Sequence, residues 1–85
     1  MSANSDNKSG KPTLVGIAEA ARAAGVSKQT IEYYIMLGMV TPIRKAKTRG
    51  RVFDAELVRR IRLIRQLNES GYTLRAIRET FLAGR

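Results

Sequence analysis

Apolar positions recur at helical spacing through most of this chain, and the pattern shortens to strand-like runs only near the middle. Ile17, Ala20, Ala21 and Ala24 fall on one face of a short helix, preceded by a brief extended lead-in at Leu14 and Val15. Gly25 breaks that helix where a left-handed backbone costs least. Ser27 is a good N-cap for a second helix, Lys28 to about Leu37, whose inward residues are Ile31, Tyr34 and Ile35 and whose stop is Gly38. Two short helices around a tight glycine turn predict a helix-turn-helix unit, with Ala21 small enough for the crossing. A plain helical hairpin gives the same pattern, and the following segments separate the two readings. Met39 to Pro42 lead out extended, and Ile43-Arg44 and Arg51-Val52-Phe53 read as two strands flanking the loop KAKTRG, a wing beside the second helix. Asp54 caps a long helix with Glu56 in its first turn and an apolar stripe of Leu57, Ile61, Ile64 and Leu67, with Leu63 on the flank. Arg59, Arg62 and Arg65 lie on its other side as a solvated face, while Arg60 lies nearer the stripe, its stem packed and its head in water. Gly71 ends this helix, Thr73 caps the next, and Leu74, Ile77 and Phe81 form the last buried face. Ile35, Met36 and Met39 are left as the most exposed apolar group. The predicted fold class is mainly α: a winged helix-turn-helix of about four helices with a small β-hairpin.

Composition narrows the chemistry. Residues 1–12 hold Ser, Asn, Lys and Gly with almost nothing to bury, so they read as a disordered tail ahead of one small domain at 13–85. The chain has no cysteine and no histidine, which removes thiol and imidazole chemistry; no enzyme, metal site or cofactor is expected. No apolar run approaches a membrane span and the N-terminus lacks a signal-peptide pattern, so a cytoplasmic protein without a membrane partner is expected. The net charge of +9 over 85 residues calls for a polyanion instead. That charge is concentrated in the wing, where Arg44, Lys45, Lys47, Arg49 and Arg51 crowd together with no acid among them. Such a cluster repels itself unless it meets an anion, and DNA phosphate is the first candidate. On the second helix Lys28, Gln29, Glu32, Tyr33 and Met36 share the face opposite Ile31 and Tyr34. Gln29 suits adenine, Lys28 suits guanine or phosphate, and Ser27 and Thr30 at the helix N-terminus suit phosphate or a thymine methyl. A solvated helix face is the alternative, and the adjacent wing favours base contact.

With this order laid out, the chain resembles the N-terminal winged-helix domain of the MerR family of bacterial transcription regulators. The resemblance rests on GVSKQTIEYY at Gly25 to Tyr34, GMVTP at Gly38 to Pro42, GRVF at Gly50 to Phe53 and LIRQLNESGYTLRAIRE at Leu63 to Glu79. It implies sequence-specific binding of double-stranded DNA, transcription regulation, and a dimer on DNA whose helices enter successive major grooves and distort the duplex between them. It implies that Arg51 is the wing arginine, that Tyr33 donates to a phosphate, and that Tyr72 and Thr73 belong to a second wing, although simple helix capping explains Thr73 equally. Three departures stand out. Glu32 replaces the family's usual arginine, Ile35 and Met36 follow the second tyrosine where polar residues are usual, and the sequence stops before the family's coiled coil and effector domain, leaving no small-molecule effector site. The competing readings are a MerR-like protein-interaction module that binds a chaperone or another regulator, which Glu32, Ile35 and Met36 would suit, and an excisionase-like architectural DNA-binding factor.

Overall fold

The computed structural model describes residues 13–44 and 50–82. The expected tail and the wing residues Lys45, Lys47 and Arg49 lie outside the described residues. Helix α1 spans Ile17–Ala24, α2 Lys28–Met36, and α3 Ala55–Glu69; α4, Leu74–Ile77, continues as a π-helical turn over Arg78–Leu82. Strands β1, Ile43–Arg44, and β2, Arg51–Val52, pair antiparallel with Ile43 opposite Val52 and Arg44 opposite Arg51. Val15 adds a bridge to Phe53, with N–O distances of 2.9 and 2.8 Å in the two directions, so the lead-in residue ties the N-terminal end to the hairpin.

The caps follow the side chains that supply them. Ser27 Oγ accepts from the Thr30 amide at 3.0 Å, Asp54 Oδ1 from Leu57 at 2.9 Å, and Thr73 Oγ1 from Ala76 at 3.0 Å. Each satisfies one orphan donor in a first helical turn. Among the described helices only α1 has no side-chain cap; Gly16 precedes it in extended conformation. Gly25 closes α1 at φ +77°, with Val26 N donating to Ala21 O at 3.0 Å and Gly25 N to Arg22 O at 3.3 Å. That is a Schellman closure, which needs a left-handed residue. Gly25→Val is therefore expected to cost about 1–3 kcal/mol, because a β-branched residue is strained there. Its Cβ would also meet Arg65 Nη1 at 3.3 Å, the movable end of a long side chain. Thermal melting checks this, and a variant melting with the parent would contradict the assigned turn.

The core gathers Ala20, Ala21 and Ala24 of α1, Ile31 and Tyr34 of α2, Phe53, Ile61 and Ile64 of α3, and Ile77. Alanines on α1 let it lie close to α2 and α3, both of which it contacts. Leu57 and Leu67 are half-buried at the edges of the α3 stripe, as is Val58.

Two expectations need correction, and two arginines gain partners that the sequence did not name. Met39 is 1% exposed, not part of an exposed apolar group. A second Schellman closure at Gly38, φ +78°, with Met39 N bonded to Tyr34 O at 2.9 Å, turns the chain back and drops Met39 and Val40 into the core. Ile35 is half-buried, so Met36, 72% exposed, remains the bare apolar side chain of that trio. Arg60 is half-buried, and besides packing its stem it donates through Nε to Met39 O at 2.8 Å, satisfying a carbonyl that this turn carries inward. Arg62 is exposed, as its place on the solvated face predicts, and it also donates through Nη2 to Ala23 O at 3.1 Å at the end of α1. Guanidinium groups suit helix C-termini because the last carbonyls lack partners and carry the negative end of the dipole. Finally, Phe81 is 42% exposed and Leu82 is buried in its place. The α-helical register set by Leu74 and Ile77 would carry Phe81 inward, but i→i+5 bonding over Arg78–Leu82 rotates the face by about one residue. Phe81 instead meets Tyr72 edge to face, with ring centroids 5.4 Å apart.

Candidate nucleic-acid interface

Helix α2 turns Ile31 and Tyr34 into the core, and burial pushes the Tyr34 phenol above its ordinary range, partly opposed by Arg65. By helical periodicity the opposite face then carries Lys28, Gln29, Glu32, Tyr33 and Met36, all exposed. At its N-terminal end the Ser27 and Thr30 hydroxyls lie 3.0 Å apart, with Ser27 exposed and Thr30 half-buried. Ser27 Oγ is already spent as the cap acceptor and one hydroxyl proton joins the pair, so an incoming group would find the one remaining hydroxyl proton and the free helix amides. Among the described wing residues, Arg44 is exposed and stands across the hairpin from Arg51.

Arg51 does not simply extend into solvent. Its Nη1 donates to Glu32 Oε1 at 3.0 Å and its Nη2 to Glu32 Oε2 at 2.7 Å, a bidentate pair. The two residues are 19 positions apart, so the pair pins the wing to the exposed face of α2. The hydrogen bonds from Arg51 hold the Glu32 carboxyl below the usual glutamate range, and the same contacts raise the Arg51 guanidinium. A carboxylate held low contributes to stability above its unfolded value, and that contribution is lost as pH falls through the lowered one.

Tyr72 is exposed at the start of α4, its carbonyl accepting from Asn68 Nδ2 at 2.8 Å, and Thr73 Oγ1 is occupied as a helix cap. The capping reading of Thr73 is thus a visible contact. Sequence reasoning passed over Arg75 and Arg78, which line a shallow groove together with Tyr33, Leu37 and Leu74. Arg78 Nη1 donates to Leu37 O at 3.1 Å at the end of α2, and Arg75 Nε lies 3.3 Å from Glu79 Oε2. Their spacing of three around the buried Ile77 was the available signal: it places both guanidiniums on the outward side of α4, while only folding brings that side against Tyr33.

The arrangement is a nine-residue helix with an exposed polar face, flanked by a hairpin arginine on one side and two α4 arginines on the other. Comparison with known proteins bears on the family and the fold. The family model described as "MerR HTH family regulatory protein" matches residues 16–83. The chain is 34% identical over 61 residues to the mercuric resistance operon regulatory protein of Bacillus cereus, covering 72% of this chain and 46% of that protein. It is 35% identical over 63 residues to the nodulation protein NolA of Bradyrhizobium elkanii, covering 74% of this chain and 29% of that one. Among solved structures, the transcription regulator PbrR691 from Ralstonia metallidurans CH34, in complex with lead(II), superposes with a TM-score of 0.69 at 25% identity, covering 76% of this chain and 50% of that one. The chain therefore spans half or less of the length of these relatives. With a family model matched along nearly all of the described fold, and a hairpin set beside the second helix of a helix-turn-helix, the chain belongs to the MerR HTH family of regulatory proteins.

Proposed function

We propose that this chain binds double-stranded DNA and regulates transcription, laying the exposed face of α2 in the major groove with the hairpin against the neighbouring backbone. The observation that carries the reading is the clamp between Arg51 and Glu32, which sets a basic hairpin at the edge of an exposed helix face. Lys28 and Gln29 are the base-reading candidates, Ser27, Thr30 and Tyr33 the phosphate partners, and Arg44 and Arg51 the wing contacts. Lys45, Lys47 and Arg49 complete the wing's charge in the sequence. Tyr72, with Thr73 capping beneath it, is assigned to the backbone side. Pairing of two copies on DNA would give a two-fold operator, as for other dimeric helix-turn-helix proteins.

PbrR691 holds lead(II), but these 85 residues contain no cysteine or histidine, so they supply no thiolate or imidazole for a soft metal. Metal sensing is accordingly no part of this proposal. Titration of a random-sequence duplex at several salt concentrations tests it, followed by selection of bound sites from a random DNA pool. Binding that weakens steeply with salt, together with recovery of a defined site, is the expected result. Salt-insensitive or undetectable binding would favour a protein partner, for which the bare Met36 is the available anchor.

A further inference from the structure

Glu32 fills the fork of Arg51 much as a phosphate would, with contacts of 3.0 and 2.7 Å to the two terminal nitrogens. We infer that Glu32 is a specificity-determining residue that latches Arg51 away from the DNA backbone, releasing it on sequences that offer the carboxylate a donor in the groove. This inference rests on the DNA-binding reading above.

The latched pair carries no net charge. It neutralises no phosphate, so it adds nothing to the counterion release that drives non-specific binding. Opening it is feasible because the pair is solvent-screened: the Arg51 and Glu32 side chains are 27% and 52% exposed. Yet an opened latch leaves a carboxylate among phosphates without a partner. In the major groove only exocyclic amino groups can supply one, at cytosine N4 or adenine N6. Cytosine fits better, because adenine sets the N7 acceptor beside its donor and that lone pair repels a carboxylate. Glu32 lies one helical turn beyond Lys28, on the exposed side of α2, where a base edge would be met. On a site with cytosine in register, Glu32 moves to the base and Arg51 to the phosphate in one event. On other sequences the pair stays closed and the wing forgoes a contact. The base readout and the backbone contact are thus coupled through one salt bridge.

The test uses the parent, Glu32→Gln, Arg51→Ala and the double variant. Each is titrated against a random-sequence duplex and a duplex selected from a random pool, at about 50 and 200 mM salt. Both side chains sit at the surface, and melting curves are the check that all four proteins fold. On the random duplex, Glu32→Gln should steepen the slope of log K against log salt by about 0.9 when Arg51 is present, and clearly less when it is absent. Across that salt range the change multiplies the loss of affinity by about 3.5-fold. Arg51→Ala should leave the random-duplex slope unchanged and make the selected-duplex slope shallower by about 0.9. Equal shallowing on both duplexes would overturn the latch, because Arg51 would then hold phosphate on any sequence. An effect of Glu32→Gln that ignores Arg51 would overturn it too, leaving simple carboxylate repulsion, and in either case DNA binding itself would stand. Failure of all four proteins to bind either duplex would instead overturn the DNA reading, and the latch with it.

Discussion

Phe53→Ala is expected to destabilise the protein by about 3–5 kcal/mol, a loss comparable to the whole stability of many small domains. Phe53 is 0% exposed and among the largest fully buried side chains. Its backbone exchanges both hydrogen bonds with Val15, and the next residue, Asp54, caps α3. The ring therefore sits where the lead-in strand, the hairpin and the long helix converge, and truncation leaves a cavity that three anchored segments cannot easily close. Urea denaturation followed by far-ultraviolet circular dichroism measures the loss. Phe53→Leu, which keeps much of the volume, should cost far less, about 1–1.5 kcal/mol. A loss under about 1 kcal/mol for the alanine variant would mean that the ring is not held in the core.

Glu32→Arg is expected to give the largest gain in binding to random DNA. The substitution removes the carboxylate that holds Arg51 and adds a second cation on the exposed face of α2. If both guanidiniums reach phosphate, the slope of log K against log salt steepens by about 1.8, so the advantage over the parent grows about twelvefold between about 200 and 50 mM salt. Base preference should relax at one position of the selected site, because the new side chain cannot accept from an amino group. Glu32→Ala should relax the same position with a smaller gain. Duplex titrations of parent and both variants at two salt concentrations decide it. Flat DNA affinity across all three would remove α2 from the major groove.

These expectations differ from those that residue types alone suggest. An arginine in a basic hairpin reads as a phosphate contact on every sequence, and a carboxylate on a groove-facing helix reads as a liability. Bringing Glu32 and Arg51 together changes both roles, since each neutralises the other until DNA competes for them. The arginines of α3 and α4 shift in the same way. Arg60, Arg62 and Arg78 donate to carbonyls at or just beyond the ends of α1 and α2, so part of the net charge of +9 stabilises helix termini and turns.

What the sequence by itself determined was most of what neighbours a few residues apart govern. Caps at Ser27, Asp54 and Thr73, the left-handed turns at Gly25 and Gly38, and the inward stripes of Ala20-Ala24, Ile31-Tyr34 and Ile61-Ile64 follow from local hydrogen-bond needs and helical periodicity. The hairpin was legible because its strands flank a glycine-bearing loop, and the exposed face of α2 because periodicity places it opposite the buried one. Tertiary structure decided what depends on distant partners or on small changes of register. Met39 is buried because the turn after α2 carries it into the core, where its carbonyl accepts from Arg60, a residue 21 positions away. Phe81 yields its place to Leu82 because a π-helical turn, invisible to a 3.6-residue count, rotates the end of α4. Glu32 meets Arg51 because the hairpin stands against α2, and side-chain chemistry along the chain carries no information about that distance until the core has set it.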